Sequence, residues 1–207
     1  MLALCRSVAI QLAFDMNPSR EHILGRVRAA LCTEAHQPAP PTGTPVFPPV
    51  ADVEARFRAE FIALRGEIIE TADQLREFLK TFPRIATDGS ELVRQAVGEG
   101  NASVRDGDLG VTGCDCLVAM TGSIFVCTKS AGGRALSVLP PVHLVIARRD
   151  QLVPDLATAM ALLRSRYDGH WPSQLSVITG PSRTADIEKI LVMGAHGPKR
   201  LALYFAA

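Results

Sequence analysis

The sequence predicts an α/β domain built on a largely parallel sheet with helices on both faces, preceded by a helical arm. Three observations predict it. Strand-like and helix-like segments alternate through the second half of the chain, the pattern of crossover-connected parallel strands. The run Val142 to Ala147 is short, apolar and rich in β-branched residues, bounded by Pro140-Pro141 and Arg148-Arg149, and reads as a buried strand. Leu152 to Arg166 carries Leu152, Leu156, Met160 and Leu163 at helical spacing, a core stripe.

The 207 residues suffice for one domain with a hydrophobic core and an appendage. Hydrophobic residues make up 47% and charged residues 21%, which argues against global disorder. The net charge of +1, with no basic stripe interleaved by aromatics, implies no strong attraction to nucleic acid or an anionic membrane. Five cysteines are an odd number, and Cys114 and Cys116 are too close for an easy bridge. A reducing cytoplasm is therefore the expected location. Met1 to Phe14 is apolar but holds Arg6 and falls short of the roughly 20 residues of a spanning helix. No basic region precedes it and no cleavage site follows, so neither a membrane span nor a signal peptide is expected. Met16 offers a second natural start, with Ser19 placed to cap a helix.

Taken in order, residues 19–33 carry Ile23, Leu24, Val27, Ala30 and Leu31 at helical spacing. Pro38, Pro40, Pro41, Pro45, Pro48 and Pro49 then impose an extended linker. The sequence is thus divided into a helix and linker (1–50) and an α/β domain (51–207). The helix is either a partner-docking arm or an element packed on its own domain. Residues 51–66 and 72–80 read as helices, with a short strand at Glu67 to Glu70 between them. Pro83 ends the second helix, and Arg84 to Thr87 is a strand entering the Asp88-Gly89 turn. Leu117 to Met120 and Ser123 to Cys127 are strand-like runs about the turn Thr121-Gly122. In the Leu152 helix, Pro154 fits the first turn and Gly169 the exit. Ser176 to Thr179 is a strand, 183–191 a helix, and Leu201 to Phe205 the closing strand.

Three segments have the chemistry of a site. In Gly180-Pro181-Ser182-Arg183-Thr184-Ala185-Asp186, a strand is expected to hand over to a helix, whose unpaired N–H groups and dipole favour an anion. Ser182 and Thr184 add hydroxyl donors, and Arg183 can pair with a carboxylate or phosphate. The turn is expected beyond the carboxyl ends of the strands, where open α/β sheets bind ligands. The competing reading is a plain helix cap with Asp186 complementing the dipole. The motif is neither a Walker loop nor a dinucleotide fingerprint. The second segment joins Thr121-Gly122-Ser123 to Ser130-Ala131-Gly132-Gly133-Arg134, with Ser137 close behind; its alternative is a hairpin and loop. In the third, Gly194-Ala195-His196-Gly197-Pro198, the histidine can act as acid, base or donor, although turn histidines are more often structural. His143, at the head of a buried strand, is expected to make a structural hydrogen bond. Cys114, Cys116 and Cys127 lack CxxC spacing and a fourth ligand, so no metal site and no cofactor are expected.

These motifs, in this order, resemble the lactate utilization protein C or LUD domain family. The resemblance rests on Thr121-Gly122-Ser123, Arg134 with Ser137-Val138-Leu139-Pro140, His143, GPSRTADIE at 180–188 and GAHGP at 194–198, and covers about 16–207. It implies a three-layer α/β/α Rossmann-like fold of the NagB/RpiA/CoA-transferase group. It also implies a part in oxidising L-lactate to pyruvate beside iron–sulfur partner subunits. It assigns no catalytic residue. One position departs from the family pattern: Met120 stands where an acidic residue usually precedes Thr-Gly, so any activity needing that carboxylate is in doubt.

The leading expectation is an accessory, non-redox subunit of a lactate oxidation system that binds a small anionic metabolite. An enzyme of the same fold group is the alternative. A CoA transferase needs a loop glutamate, and Glu188 is expected in a helix; a folate cyclo-ligase needs basic residues that Arg134, Arg183, Lys199 and Arg200 supply in part. A structural or regulatory binding module is the third reading.

Overall fold

A computed structural model of the chain describes residues 18–32, 48–128, 134–185, 191–194 and 196–206. The chain divides between Phe47 and Pro48. Of the first unit, the described part is helix α1, Pro18–Leu31, with Ile23, Val27 and Leu31 exposed. Proline occupies its first turn, where the missing N–H costs nothing. Ser19 therefore lies inside the helix rather than capping it. The expected stretch Met1 to Phe14, the Met16 start and most of the linker lie outside the described residues.

The second unit is built on a five-stranded, all-parallel sheet. Its strands are β1 (Glu67–Ile69), β2 (Ile85–Thr87), β3 (Leu109–Thr112), β6 (Val142–Ala147) and β11 (Arg200–Phe205), in the order β1-β11-β6-β3-β2. β6 is buried along its whole length, as its apolar run predicts. Alternation along the strands sends two sets of side chains to two faces. Leu109, Val111, Val142, Leu144, Ile146 and Ala202 pack with Leu75 and Val93 from helices α3 (Ala72–Lys80) and α4 (Glu91–Val97). Val145, Ala147, Leu201, Leu203 and Phe205 pack on the opposite face with Phe57 and Phe61 of α2 (Val53–Ala63). Helices thus cover both faces, giving the α/β/α order.

A second sheet shares the α2 face. It runs β7-β4-β5-β8, from Leu152–Val153, Cys116–Val118, Ser123–Cys127 and Leu175–Ile178. Its β4–β5 and β5–β8 pairs are antiparallel. Leu117, Ile124 and Val126 face the first sheet, while Cys116, Val118 and Phe125 pack on Ala159 and Leu163 of α5 (Leu156–Tyr167). This sheet moves the start of the expected Leu152 helix. Leu152 and Val153 pair with Leu117 and Val118 as a strand. The helix begins after Asp155, whose carboxylate accepts the Thr158 N–H at 2.7 Å as an N-cap. Pro154 therefore precedes the helix, and Leu156 is exposed rather than part of a core stripe.

The expected helix over 183–191 is also corrected. Arg183–Ala185 form strand β9, paired antiparallel with β10 (Leu191–Met193). Ser182 N–H donates to the Pro198 carbonyl, and Gly194 N–H to the Ser182 carbonyl, each at 2.9 Å. These pairings satisfy the backbone through a distant segment, and local helix signals do not outweigh them. Asp186, Ile187 and Glu188 lie outside the described residues, as does the glycine run Ser130 to Gly133.

Candidate functional site

The ends of the parallel strands locate the motifs. Lys199 N–H donates to the Pro141 carbonyl at 2.8 Å, and Arg200 aligns with Val142 where β11 and β6 begin. The Ser182 and Gly194 bonds attach the β9–β10 hairpin to this same edge. The 180–185 and 194–199 segments therefore gather at the amino end of the sheet. The turn follows the carboxyl end of β8 but lies at the amino end of the parallel sheet, not beyond its carboxyl ends as expected, and Arg183–Ala185 are a strand rather than the expected helix start.

At the amino end lies a cavity of about 520 Å³ lined by Arg134, Val138, Leu139, Pro141, Gly194, His196, Gly197 and Lys199. Its elements explain the placement. Arg134–Ser137 form a turn of 3₁₀ helix packed over β3, where a Cβ on Gly110 would stand 2.5 Å from the Leu136 carbonyl oxygen. A larger residue at 110 would lift the turn that carries Arg134. Across the cavity, Gly194 has φ +76°, and a Cβ there would overlap the stem of Lys199. Glycine lets that stem cross the backbone.

The charge in this cavity is one-sided. Arg134 and Lys199 have no ion-pair partner among the described residues, and no described acidic side chain lines the walls. Arg200 behaves differently: it makes a bidentate pair with Glu67 at 2.8 and 2.7 Å and is committed to joining β11 to β1. The sequence offers Lys199 and Arg200 alike as basic residues, and among the described residues it is Lys199 that lines the cavity.

The other expected site residues fall elsewhere. Ser123 Oγ lies 2.8 Å from Thr179 Oγ1. A Cβ on Gly122 would stand 2.6 Å from Phe61 N, and one on Gly180 would stand 2.8 Å from the Leu64 carbonyl oxygen. Thr121-Gly122-Ser123 and Gly180-Pro181 thus form a close-packed seam against the end of α2. Thr121 Oγ1 in that seam is buried without a hydrogen-bond partner among the described residues. Ser182 joins seam and cavity, since a Cβ on Gly197 would stand 3.1 Å from Ser182 Cβ. Ser137 donates to the Arg134 carbonyl at 3.1 Å and is buried, which makes it a brace for the turn. Arg183 is exposed and is not part of the cavity lining among the described residues, and Thr184 belongs to β9.

His143 follows Pro141 by two positions and is fully buried. Its Nε2 lies 2.8 Å from Thr112 Oγ1, the expected structural bond, but its Nδ1 has no hydrogen-bond partner among the described residues. Burial lowers its pKa to about 4, so the ring is neutral near pH 7.

One polar centre has no counterpart in the motif reading. Asp115, buried between Cys114 and Cys116, accepts the Cys127 N–H at 3.0 Å, the Tyr167 hydroxyl at 2.6 Å and Arg166 at 3.1 Å. Burial and the bond to Asp115 push the Tyr167 hydroxyl pKa up, so it stays a donor. Burial likewise raises the Cys114 thiol, and moves Cys116 to about 11. Both remain thiols near neutral pH and act as core residues. Among the described residues no group of three His, Cys, Asp or Glu side chains is placed to hold a metal ion. No described helix is long and apolar enough to cross a membrane.

The fold and the cavity define a parallel-sheet α/β protein with a basic cleft at the amino end of its sheet. Residues 57–205 match the LUD domain pattern, and the chain belongs to the LUD domain family. Relatives include the lactate utilization protein C of Geobacillus kaustophilus, 33% identical over 110 residues, which cover 52% of this chain and 46% of that protein. The Bacillus licheniformis protein of the same name is 34% identical over the same shares. The chain thus aligns with about half the length of these curated relatives. Among solved structures, a DUF162 family protein from Deinococcus radiodurans superposes with a TM-score of 0.56 at 19% identity, over 75% of this chain and 96% of that one. That likeness supports the α/β fold.

Proposed function

We propose that this protein serves L-lactate utilization as an accessory, non-redox subunit of a system that oxidises lactate to pyruvate. In this reading it works beside iron–sulfur partner subunits in the cytoplasm and holds a small anionic metabolite in the amino-end cavity. The observation that carries the anionic part is the pair Arg134 and Lys199, which share one cavity and lack acidic partners among the described residues. A guanidinium and an ammonium that face one cavity without a protein carboxylate are free to pair with a ligand anion. The lactate part rests on the relatives named lactate utilization protein C. The exposed side of α1, with Ile23, Val27 and Leu31, suits docking of a partner subunit.

A strain lacking the protein is expected to grow normally on pyruvate and to fail on L-lactate as sole carbon source. The full chain restores growth, and a chain with Arg134→Ala and Lys199→Ala together does not. Anaerobic purification of the native protein brings down iron–sulfur proteins. Unimpaired growth on L-lactate without the protein contradicts this function.

A further inference from the structure

We infer that the amino-end cavity takes an organic phosphate, a phosphate monoester on an apolar, ring-sized body, rather than lactate or pyruvate alone. The inference rests on the reading of this cavity as an anion site and names the class of its ligand.

Charge is the first argument. Arg134 and Lys199 bring two positive charges to walls that carry no described acid. A monocarboxylate balances one of them, whereas a phosphate monoester reaches a charge of about −1.5 to −2 near neutral pH. Donor count agrees. A guanidinium offers five N–H groups, an ammonium three and an imidazole ring at least one in most states. A carboxylate has two oxygens to receive them, and a phosphate monoester has three on its terminal group. Arginine suits the bidentate contact, and lysine serves as a point charge on phosphate.

Size and wall chemistry are the second argument. The cavity holds about 520 Å³. Lactate, with six non-hydrogen atoms, displaces on the order of 100 Å³, the space of a few waters. Cavities of roughly 300–1,000 Å³ hold ligands of nucleotide or drug size. Val138, Leu139 and Pro141 form an apolar wall in the same cavity, and Leu139 stays exposed. A three-carbon hydroxy acid has a single methyl to lay against that wall; an aromatic ring covers far more of it.

The test is calorimetric titration of the full chain with phenyl phosphate, AMP, adenosine, inorganic phosphate, pyruvate and L-lactate under one buffer condition. Phenyl phosphate or AMP is expected to bind at least about tenfold tighter than phosphate, pyruvate or lactate, and adenosine weakest of all. Arg134→Gln and Lys199→Gln each weaken the monoester by about tenfold or more, with the unfolding temperature unchanged. Leu139→Ser weakens the monoester and leaves inorganic phosphate unaffected. Pyruvate or lactate binding as tightly as the monoesters overturns the phosphate assignment and leaves the small-anion function standing. Monoester binding insensitive to both cation variants also overturns it. Absence of binding by every anion removes this inference together with the anion-site reading beneath it.

Discussion

Replacing Asp115 by alanine lowers the unfolding free energy by about 3 kcal/mol, the cost of removing a buried carboxylate that receives several hydrogen bonds. The carboxylate is 1% exposed and sits just ahead of β4. One oxygen holds the backbone of Cys127 on β5, and the other holds Tyr167 and Arg166 at the end of α5. Tyr167 Oη also lies 2.7 Å from Cys127 Sγ. Removing the carboxylate takes an acceptor from the Cys127 N–H and from the Tyr167 hydroxyl, and a buried donor that loses an acceptor costs roughly 1–3 kcal/mol. Arg166 is 40% exposed and retains the Asp115 carbonyl, which places the total toward the lower end. Asp115→Asn keeps the volume and one acceptor and costs less. Equilibrium urea unfolding of both variants measures this. A loss below about 1 kcal/mol for Asp115→Ala would show that the centre does not pin the second sheet to α5.

Acidification removes a second large share of stability. His143 is buried neutral, with a native pKa of about 4 against an ordinary value of 6.5. Above 6.5 both states carry a neutral ring and pH has no leverage. Between 6.5 and 4 the unfolded chain binds a proton that the native chain refuses, so stability falls as pH falls. The full span is worth on the order of 3 kcal/mol. Carboxylates act lower. Hydrogen bonds hold Asp108, Glu91 and Asp155 below their ordinary values, so they lose their contribution only as pH drops through the carboxylate range. His143→Gln, which can still bond Thr112, is expected to flatten the pH 6.5–4 part of the stability curve and leave the lower part in place. A variant curve with the native slope in that window would contradict the assignment.

The elements legible in the sequence are those whose pattern is local. Residues 72–80 form a helix with the predicted bounds, with Thr71 accepting the Gln74 N–H as its cap. Val142–Ala147 is the predicted buried strand. β3 carries no clear strand signal because Gly110 interrupts its apolar run, and the reason for that glycine is the Leu136 carbonyl packed over it. α4, at seven residues, is too short for periodicity to mark. The local pattern over 183–191 favours a helix, while β9 is set by its partner β10, which lies outside any local window.

The site divides in the same way. Arg134 and His196 were visible in motifs, and the structure brings them to one cavity with Lys199. Thr121, Gly122, Ser123 and Gly180 were visible for the same reason, yet they pack against α2 or pair with one another. A close backbone approach and a ligand contact call for the same small residues, so spacing alone does not separate them. Asp115 could not be read at all, since its partners lie 12 residues and about 50 residues away along the chain.

The central claim is that the ligand end of this domain is the amino end of its sheet. Amide chemical-shift mapping of the isotope-labelled protein during titration with inorganic phosphate and with pyruvate tests it most directly. The predicted result is a set of shifts concentrated at Arg134, Leu139, Gly194, His196, Gly197 and Lys199. Shifts concentrated instead at the carboxyl ends of the strands, at Asp88, Gly89 and Gly113, would contradict it.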